Sequence, residues 1–374
     1  MIYMDNAATT FPKPPEVTRA VAGVMEKLGG NPGRGGHRLA VCAGRVLETC
    51  REALAALLGA DEPERVIFTS SCTDALNTAL RGTLHAGDEV LVSHAEHNAV
   101  MRVLKGYEAQ GLLTVTVLSP DAQGLIQPHV LQRAVSARTA LCVIAHASNV
   151  TGTVQPVRRL AAVCHENGFP LLLDAAQTAG VLDISHTGAD MIALPGHKGL
   201  LGPMGTGVLY LGRGMLPRPL REGGTGSRSE SMLQPAELPD RYESGTLNLP
   251  GIAGLLMGAR FVRRYRAEIE EYEGVLTRRL IEGLRNLPGV VVYGDLDAPH
   301  TGPVSFNVGD LDSAEAADAL SRAGFALRGG LHCAPSVHTW LGTLQSGAVR
   351  ASLGPYNTAQ DVDDLLAAMM RLNR

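Results

Sequence analysis

Between Arg65 and Tyr210 the chain keeps returning to short, continuously apolar runs with longer amphipathic stretches between them. CVIA at 142–145 and LLLD, which closes on a carboxylate at 174, are two of these runs. A strand with one face in water alternates apolar and polar residues, whereas a strand buried on both faces does not. The pattern therefore predicts an α/β fold, a mostly parallel sheet with helices on both faces. Seven strands are expected: Val66–Thr69, Glu89–Ser93, Leu113–Leu118, Ala140–Ala145, Pro170–Asp174, Met191–Leu194 and Gly207–Tyr210. Asp74–Leu84, Ala99–Ala109 and Val157–Asn167 fit the covering helices, with the short connections such units use.

The texture changes after Pro250. Residues 251–287 read as one or two long helices with arginines and glutamates on the outside. VVVYG, VSFNVG, ALRGG and VRASLG suggest a small sheet, with helices at Ser313–Ala323 and Asp361–Leu372. A chain of 374 residues favours two domains over one. A large α/β domain is expected over 15–250, with 1–14 and 251–374 forming a smaller α+β domain.

Composition excludes several classes. A formal charge of −4 and the lack of a lysine- or arginine-rich block argue against a nucleic-acid footprint. No apolar run approaches the ~20 residues of a membrane span, and the N-terminus lacks a signal-peptide pattern. A cytoplasmic setting is expected, with the six cysteines as free thiols. None forms C-x-x-C, and no Cys/His spacing suggests a metal site.

In an open α/β sheet, ligands sit beyond the carboxyl ends of the strands. That rule selects Ser70–Asp74 after VIFT, His94 and His97 after LVS, His146, Ser148 and Asn149 after CVIA, Asp174 ending LLLD, and Lys198 after MIAL. SSCTDALN runs from a strand into a helix whose free N–H groups favour an anion, with Ser71 and Thr73 as added donors. It is not a Walker loop; a helix cap without ligand is the plain alternative. Lys198 sits in LPGHKGLLGPMGTG, where a partly desolvated amine has a lowered pKa and condenses with aldehydes. The alternative is a lysine on a glycine-rich turn. Asp174 could hold the protonated ring nitrogen that makes a pyridinium an electron sink, or could be a structural ion pair. An aldehyde for Lys198, a ring nitrogen for Asp174 and a phosphate for Ser71–Thr73 together point to pyridoxal 5'-phosphate (PLP). His97 could stack on its ring, and Asn149 and Gln177 could reach its phenolic oxygen. In RGGLHC, Arg328 and His332 could favour a thiolate at Cys333, which could equally be a small packed residue. Arg350, in VRASLG, is a candidate fork for a substrate carboxylate or a structural ion-pair partner.

Ten stretches in order, from YMDNAATTFPKP, NPGRGGHR, FTSSCTDALN and SHAEHNAV through HASNVTGTVQP, LLLDAAQ and LPGHKGLLGPMGTG to YESGTLNLPG, LRGGLHCAP and VRASLGPYNT, resemble the class V aminotransferase-like family. More narrowly, they are similar to its cysteine desulfurase and selenocysteine lyase group. The resemblance implies fold type I of the PLP-dependent transferases and a homodimer. It implies that Lys198 carries the cofactor, Asp174 pairs with the ring nitrogen, Gln177 contacts the phenolic oxygen and His97 covers the ring. Thr73, His197 and the backbone at Cys72 would hold the phosphate, with Thr246 arriving from the other subunit. Asn149 and Arg350 would face an amino-acid substrate (L-cysteine or L-selenocysteine), with Arg328 beside the thiol. Cys333 would take the substrate's sulfur as a persulfide, release alanine and pass the sulfur to an acceptor protein. The short loop between Arg328 and Cys333 resembles the group II form. Three readings compete with the desulfurase: a selenocysteine lyase or another PLP lyase or aminotransferase on this scaffold, a non-catalytic PLP-binding or partner-docking protein, and a nucleotide-binding α/β protein. Three departures stand out. Pro195 occupies a place where the family has a serine that helps bind phosphate, a donor that the GSRSE segment could replace; Cys72 occupies one where a small or hydroxyl residue is usual; and the loop between Arg221 and Tyr242 is unlike that of the family's desulfurases.

Overall fold

The structure is a computed structural model that describes residues 1–33, 35–295 and 298–372; Arg34, inside NPGRGGHR, lies outside them. Its elements begin β1 (Ile2–Tyr3), α1 (Pro15–Lys27), α2 (Arg38–Leu58), β2 (Val66–Thr69), α3 (Cys72–Thr83), β3 (Glu89–Ser93), α4 (Asn98–Ala109) and β4 (Thr114–Leu118). They continue with α5 (Pro128–Ala134), β5 (Thr139–Ala145), α6 (Val157–Glu166), β6 (Leu171–Asp174), β7 (Met191–Pro195), β8 (Gly207–Leu211) and α7 (Leu249–Arg285). The last part holds β9 (Val290–Tyr293), β10 (Pro303–Val308), α8 (Ser313–Arg322), β11 (Phe325–Ala326), β12 (Arg328–Gly330), α9 (Pro335–Leu341), β13 (Ala348–Ser352) and α10 (Ala359–Leu372).

The large sheet has seven strands in the order β2-β8-β7-β6-β5-β3-β4. β8 runs antiparallel to β2 and β7, and the remaining pairs are parallel. Successive residues of one strand enter opposite cores. Leu171 and Leu173 join the cluster that holds Leu54 of α2, Leu160 of α6 and Leu255 of α7. Leu172 joins the cluster that holds Leu76 and Leu80 of α3 and Leu104 of α4. This is why LLLD carries no alternation: both faces are dry, and each buried leucine contributes about 1.5–3 kcal/mol.

A third core unites Met4, Leu276, Leu280, Phe306, Val349, Leu365 and Met369. It lies against a four-stranded antiparallel sheet ordered β12-β13-β10-β9. Helix α7 links the cores, giving Ile252, Leu255 and Ala259 to the first and Leu276, Leu280 and Leu284 to the third. It is one helix of 37 residues, about 55 Å long at 1.5 Å per residue. Among the described residues no helix is long and apolar enough to cross a membrane.

Candidate active site

Because β2, β3, β5, β6 and β7 point the same way, their carboxyl ends share one edge. A cavity of about 250 Å³ opens there, lined by Cys72, Thr73, His97, Asn149, Asp174, Gln177, His197, Lys198, Arg328 and Arg350 among others. Ten of the residues expected from sequence thus meet in one place. Thr246 does not: it is exposed and lies outside the cavity of its own chain. Cys333 is not in the cavity wall either, but its Sγ lies 3.9 Å from Nη2 of Arg328, which is.

Lys198 follows β7, and its loop is held from below. The His197 carbonyl accepts from Thr10 N at 3.1 Å and from Lys13 Nζ at 2.7 Å. The glycines around Lys198 are required by protein rather than by ligand. A Cβ on Gly196 would meet Thr206 Oγ1 at 2.1 Å, and one on Gly199 would meet the Ala179 carbonyl at 2.4 Å. Among the described residues Nζ of Lys198 has no hydrogen-bond or ion-pair partner. Burial lowers its pKa, while the carboxylate of Asp174 opposes that shift.

Asp174 is buried at the end of β6. Its Oδ1 accepts from Ala176 N at 2.9 Å and faces the Cys72 thiol at 3.6 Å. No donor among the described residues reaches Oδ2. His97 caps α4, its Nδ1 accepting from Ala99 N at 3.0 Å. That bond leaves the ring proton on Nε2. Burial holds the His97 ring below the usual imidazole range, with Asp174 pulling the other way.

The end of α3 nearest the cavity is capped by Ser71, whose Oγ accepts from Asp74 N at 3.1 Å. Ser71 therefore caps the helix, and the first N–H groups, at Cys72 and Thr73, are left without intrahelical acceptors. Nδ1 of His197 is buried without a partner, and burial with Lys198 and Lys13 nearby takes that ring down to about 4. Pro195 lines the cavity and offers no N–H. The GSRSE segment does not line the cavity of its own chain; its Ser227 and Arg228 are engaged by Asp240 and Glu237.

The far wall comes from the small sheet. Arg350, on β13, donates from Nη1 to the Asn149 carbonyl at 3.0 Å and pairs through Nη2 with Asp5 at 2.8 Å. Its Nε is buried without a partner, as is Oδ1 of Asn149. Asn149 Nδ2 donates to the His332 carbonyl at 2.6 Å, and Asn98 N to the Cys333 carbonyl at 2.7 Å. His332 and Cys333 both have left-handed backbones, with φ of 49° and 59°. Two such non-glycine residues in succession are strained and are held by these anchors. Ala334, which precedes α9, and Val337 of α9 pack on Ala95, Ala145 and Val150, which seats the loop on the strand ends.

Sequence reasoning missed Asp5 and Lys13, because the polar N-terminal stretch has no periodicity to place it. It also missed Glu96, buried behind the cavity, whose Oε1 accepts from Ala145 N at 2.6 Å. Burial pushes its carboxyl up to about 8. A carboxylate between two histidines in SHAEH was the only signal, and it does not reveal burial.

Three features fit a pyridoxal phosphate. Lys198 has an unpaired amine for the aldehyde, Oδ2 of Asp174 is an open acceptor for a ring N–H, and the α3 N-terminus with orphaned His197 Nδ1 offers donors to a phosphate.

A mostly parallel sheet covered on both faces, with such a lysine and aspartate at its carboxyl edge, has the architecture of fold type I of the PLP-dependent transferases. The chain belongs to the class-V aminotransferase family, whose model matches residues 2–365. It is 34% identical over 371 residues to a probable cysteine desulfurase of Methanothermobacter thermautotrophicus, covering 96% of this chain and 92% of that protein. It is 32% identical over 376 residues to a probable cysteine desulfurase of Halalkalibacterium halodurans, covering 98% and 91%. Among solved structures, an apo cysteine desulfurase from Thermococcus onnurineus superposes with a TM-score of 0.93 at 32% identity, over 99% of this chain and 94% of that one. The cysteine desulfurase CsdA from Escherichia coli, in an S-sulfonic acid form, gives 0.87 at 30% identity over 99% and 94%.

Proposed function

We propose that this chain is a PLP-dependent L-cysteine desulfurase that moves sulfur from cysteine to Cys333 and releases alanine. The observation that carries the reading is the unpaired Lys198 amine in a cavity shared with Asp174 and flanked by the Arg328–Cys333 pair. Bound pyridoxal phosphate would supply an aldehyde that condenses with amines and a protonated ring that draws electrons from the amino acid's α-carbon. Lys198 would hold it covalently, Asp174 through Oδ2, and Cys72 N, Thr73 and His197 at the phosphate. Gln177 lines the cavity beside Asp174 and is assigned the phenolic oxygen.

Lys198, with its pKa lowered by burial, is the base that takes and returns the α-proton. His97, a neutral ring with its proton on Nε2, covers the cofactor. Arg350 and Asn149 are assigned to the amino-acid substrate; buried Nε of Arg350 and Oδ1 of Asn149 are the open positions. Arg328 Nη2, 3.9 Å from Sγ, is the cation beside the Cys333 thiol that would take the sulfur. In the sulfur step, an S–S bond forms between Cys333 Sγ and the substrate sulfur as the C–S bond breaks. Its electron pair goes to carbon, which takes a proton and becomes the methyl group of alanine.

We further infer a homodimer in which Thr246 completes the partner's phosphate site, a reading supported by its exposure outside its own cavity. The separate core of Met4 with the 276–369 segment supports a small domain beside a large one, read as 1–14 and 251–374 against 15–250, with Ile252, Leu255 and Ala259 of α7 reaching into the large one's core. Six cysteines without disulfides are in keeping with a cytoplasmic setting. A protein acceptor for the persulfide sulfur belongs to the same reading.

The test is direct. Protein supplied with PLP should turn yellow and convert L-cysteine to alanine and sulfide one for one in the presence of a reductant. Cys333→Ser should keep the colour and lose sulfide release. Unchanged turnover by that variant would transfer the site to a lyase or aminotransferase that needs no thiol, selenocysteine lyase included. Colour without any substrate turnover would indicate a non-catalytic PLP binder.

A further inference from the structure

Cys72 is the first residue of α3, and its backbone is what the phosphate reading uses. Its side chain does something else. It turns into the cavity and places Sγ 3.6 Å from Oδ1 of Asp174, across 102 residues of sequence. Asp174 Oδ1 is then doubly engaged, by Ala176 N at 2.9 Å and by the thiol, while Oδ2 is left open.

We propose that Cys72 is a positioning residue for Asp174: its S–H donates to Oδ1, fixing the carboxylate's rotation so that Oδ2 faces the ring nitrogen. This rests on the cofactor reading above. Burial raises the Cys72 thiol well above its ordinary value, and the Asp174 carboxylate raises it further, with Lys198 opposing. The sulfur is therefore a protonated donor, not a second nucleophile beside Cys333. Asp174 also faces Lys198, His97 and buried Glu96. None of these three donates a hydrogen bond to it among the described residues, so the thiol is the side chain that orients it.

The chemistry has a direction. A donor on Oδ1 draws the carboxylate's charge away from Oδ2, so a proton shared with a bound ring would stay on the ring nitrogen. Removing the donor moves that proton toward Asp174 and makes the ring less electron-poor. The cofactor's bond to Lys198 then becomes harder to deprotonate.

Two measurements test this. In protein loaded with PLP, the pH at which the visible band changes should rise by about half a unit in Cys72→Ala, the effect of one weak hydrogen bond. Cys72→Ser, which restores a donor, should return it toward wild type. In unloaded protein, alkylation of Cys72, followed by mass spectrometry of its peptide against pH, should have a midpoint about one unit lower in Asp174→Asn, because the thiol loses its anionic neighbour. An unmoved band in Cys72→Ala, or unchanged alkylation in Asp174→Asn, overturns the inference. If wild-type protein never gains the band, the cofactor reading has failed, and the alkylation midpoints still decide whether Cys72 and Asp174 are coupled.

Discussion

Of the basic side chains that line the cavity, Lys198 and Arg350 are held in opposite ways. The amine of Lys198 has no partner among the described residues, whereas the guanidinium of Arg350 is tied to Asp5 and to the Asn149 carbonyl. Arg350 is thus an ion-pair partner, one of its two readings from sequence, and it lines the cavity where the other, a fork for a substrate carboxylate, would act. On the proposed function the guanidinium, oriented by these two contacts, meets the substrate through its open Nε, so Arg350→Lys should raise KM for L-cysteine about tenfold or more while the bound cofactor's colour persists. Asp5→Ala leaves that buried guanidinium without its counter-ion and should cost roughly 3–5 kcal/mol, read as a lower urea midpoint; an unchanged midpoint would show the pair to be dispensable. Membership of the cavity was legible in the sequence where a residue's place on a strand end declared it, as for Asp174 and Lys198. It was not legible where function depends on a contact between distant segments. Cys72 was assigned by its backbone, and nothing within ten residues of it announces that its thiol meets Asp174.

At the scale of elements, the strands were legible to within about one residue; most are continuous apolar runs buried on both faces, and only edge strand β4 has exposed positions, at Thr114 and Val117. Leu113–Leu118 and Gly207–Tyr210 from sequence became Thr114–Leu118 and Gly207–Leu211. Helices α1 and α2 were not assigned, although Val24 and Ala43 pack on Leu249 and Ala253 of α7; their apolar residues are mostly alanine and valine, which mark a face weakly. Residues 251–287 could be read as one helix or two, and they form one. Its glycines explain why it can lie so near the lysine loop. A Cβ on Gly258 would come within 2.2 Å of the Leu200 carbonyl, two residues past Lys198. Gly258→Ala must therefore displace the loop or the helix. Overpacking of this kind costs about 1–3 kcal/mol. The variant should melt several degrees lower and hold PLP more weakly; melting and cofactor retention equal to wild type would refute the close contact.

For the whole molecule, buried titratable groups set the pH of greatest stability. Burial lowers His94, His146, His197 and His300 to about 4 and His332 to about 3. These rings stay neutral in the fold but take up protons when unfolded below their ordinary value, so they destabilise the protein as pH falls through about 6.5. Burial raises Glu96 and Glu273 to about 8. Their folded forms keep a proton that the unfolded chain has lost, so each removes up to about 1.4 kcal/mol per pH unit between the ordinary carboxylate range and pH 8. The two slopes oppose each other, and maximal stability should fall between about pH 6.5 and 7. Urea unfolding from pH 5 to 8 should show that maximum. Replacing both acids, Glu96→Gln with Glu273→Gln, should flatten the alkaline side; a slope unchanged by the double variant would mean that these carboxyls are ionised in the fold.

The claim beneath all of this is that the amine of Lys198 bonds covalently to pyridoxal phosphate. Borohydride reduction of the loaded protein, followed by peptide mass mapping, addresses it most directly. The account predicts one phosphopyridoxyl group, on the peptide carrying Lys198, and none in Lys198→Ala. A label on another lysine, or no label on a protein that has turned yellow, would contradict it.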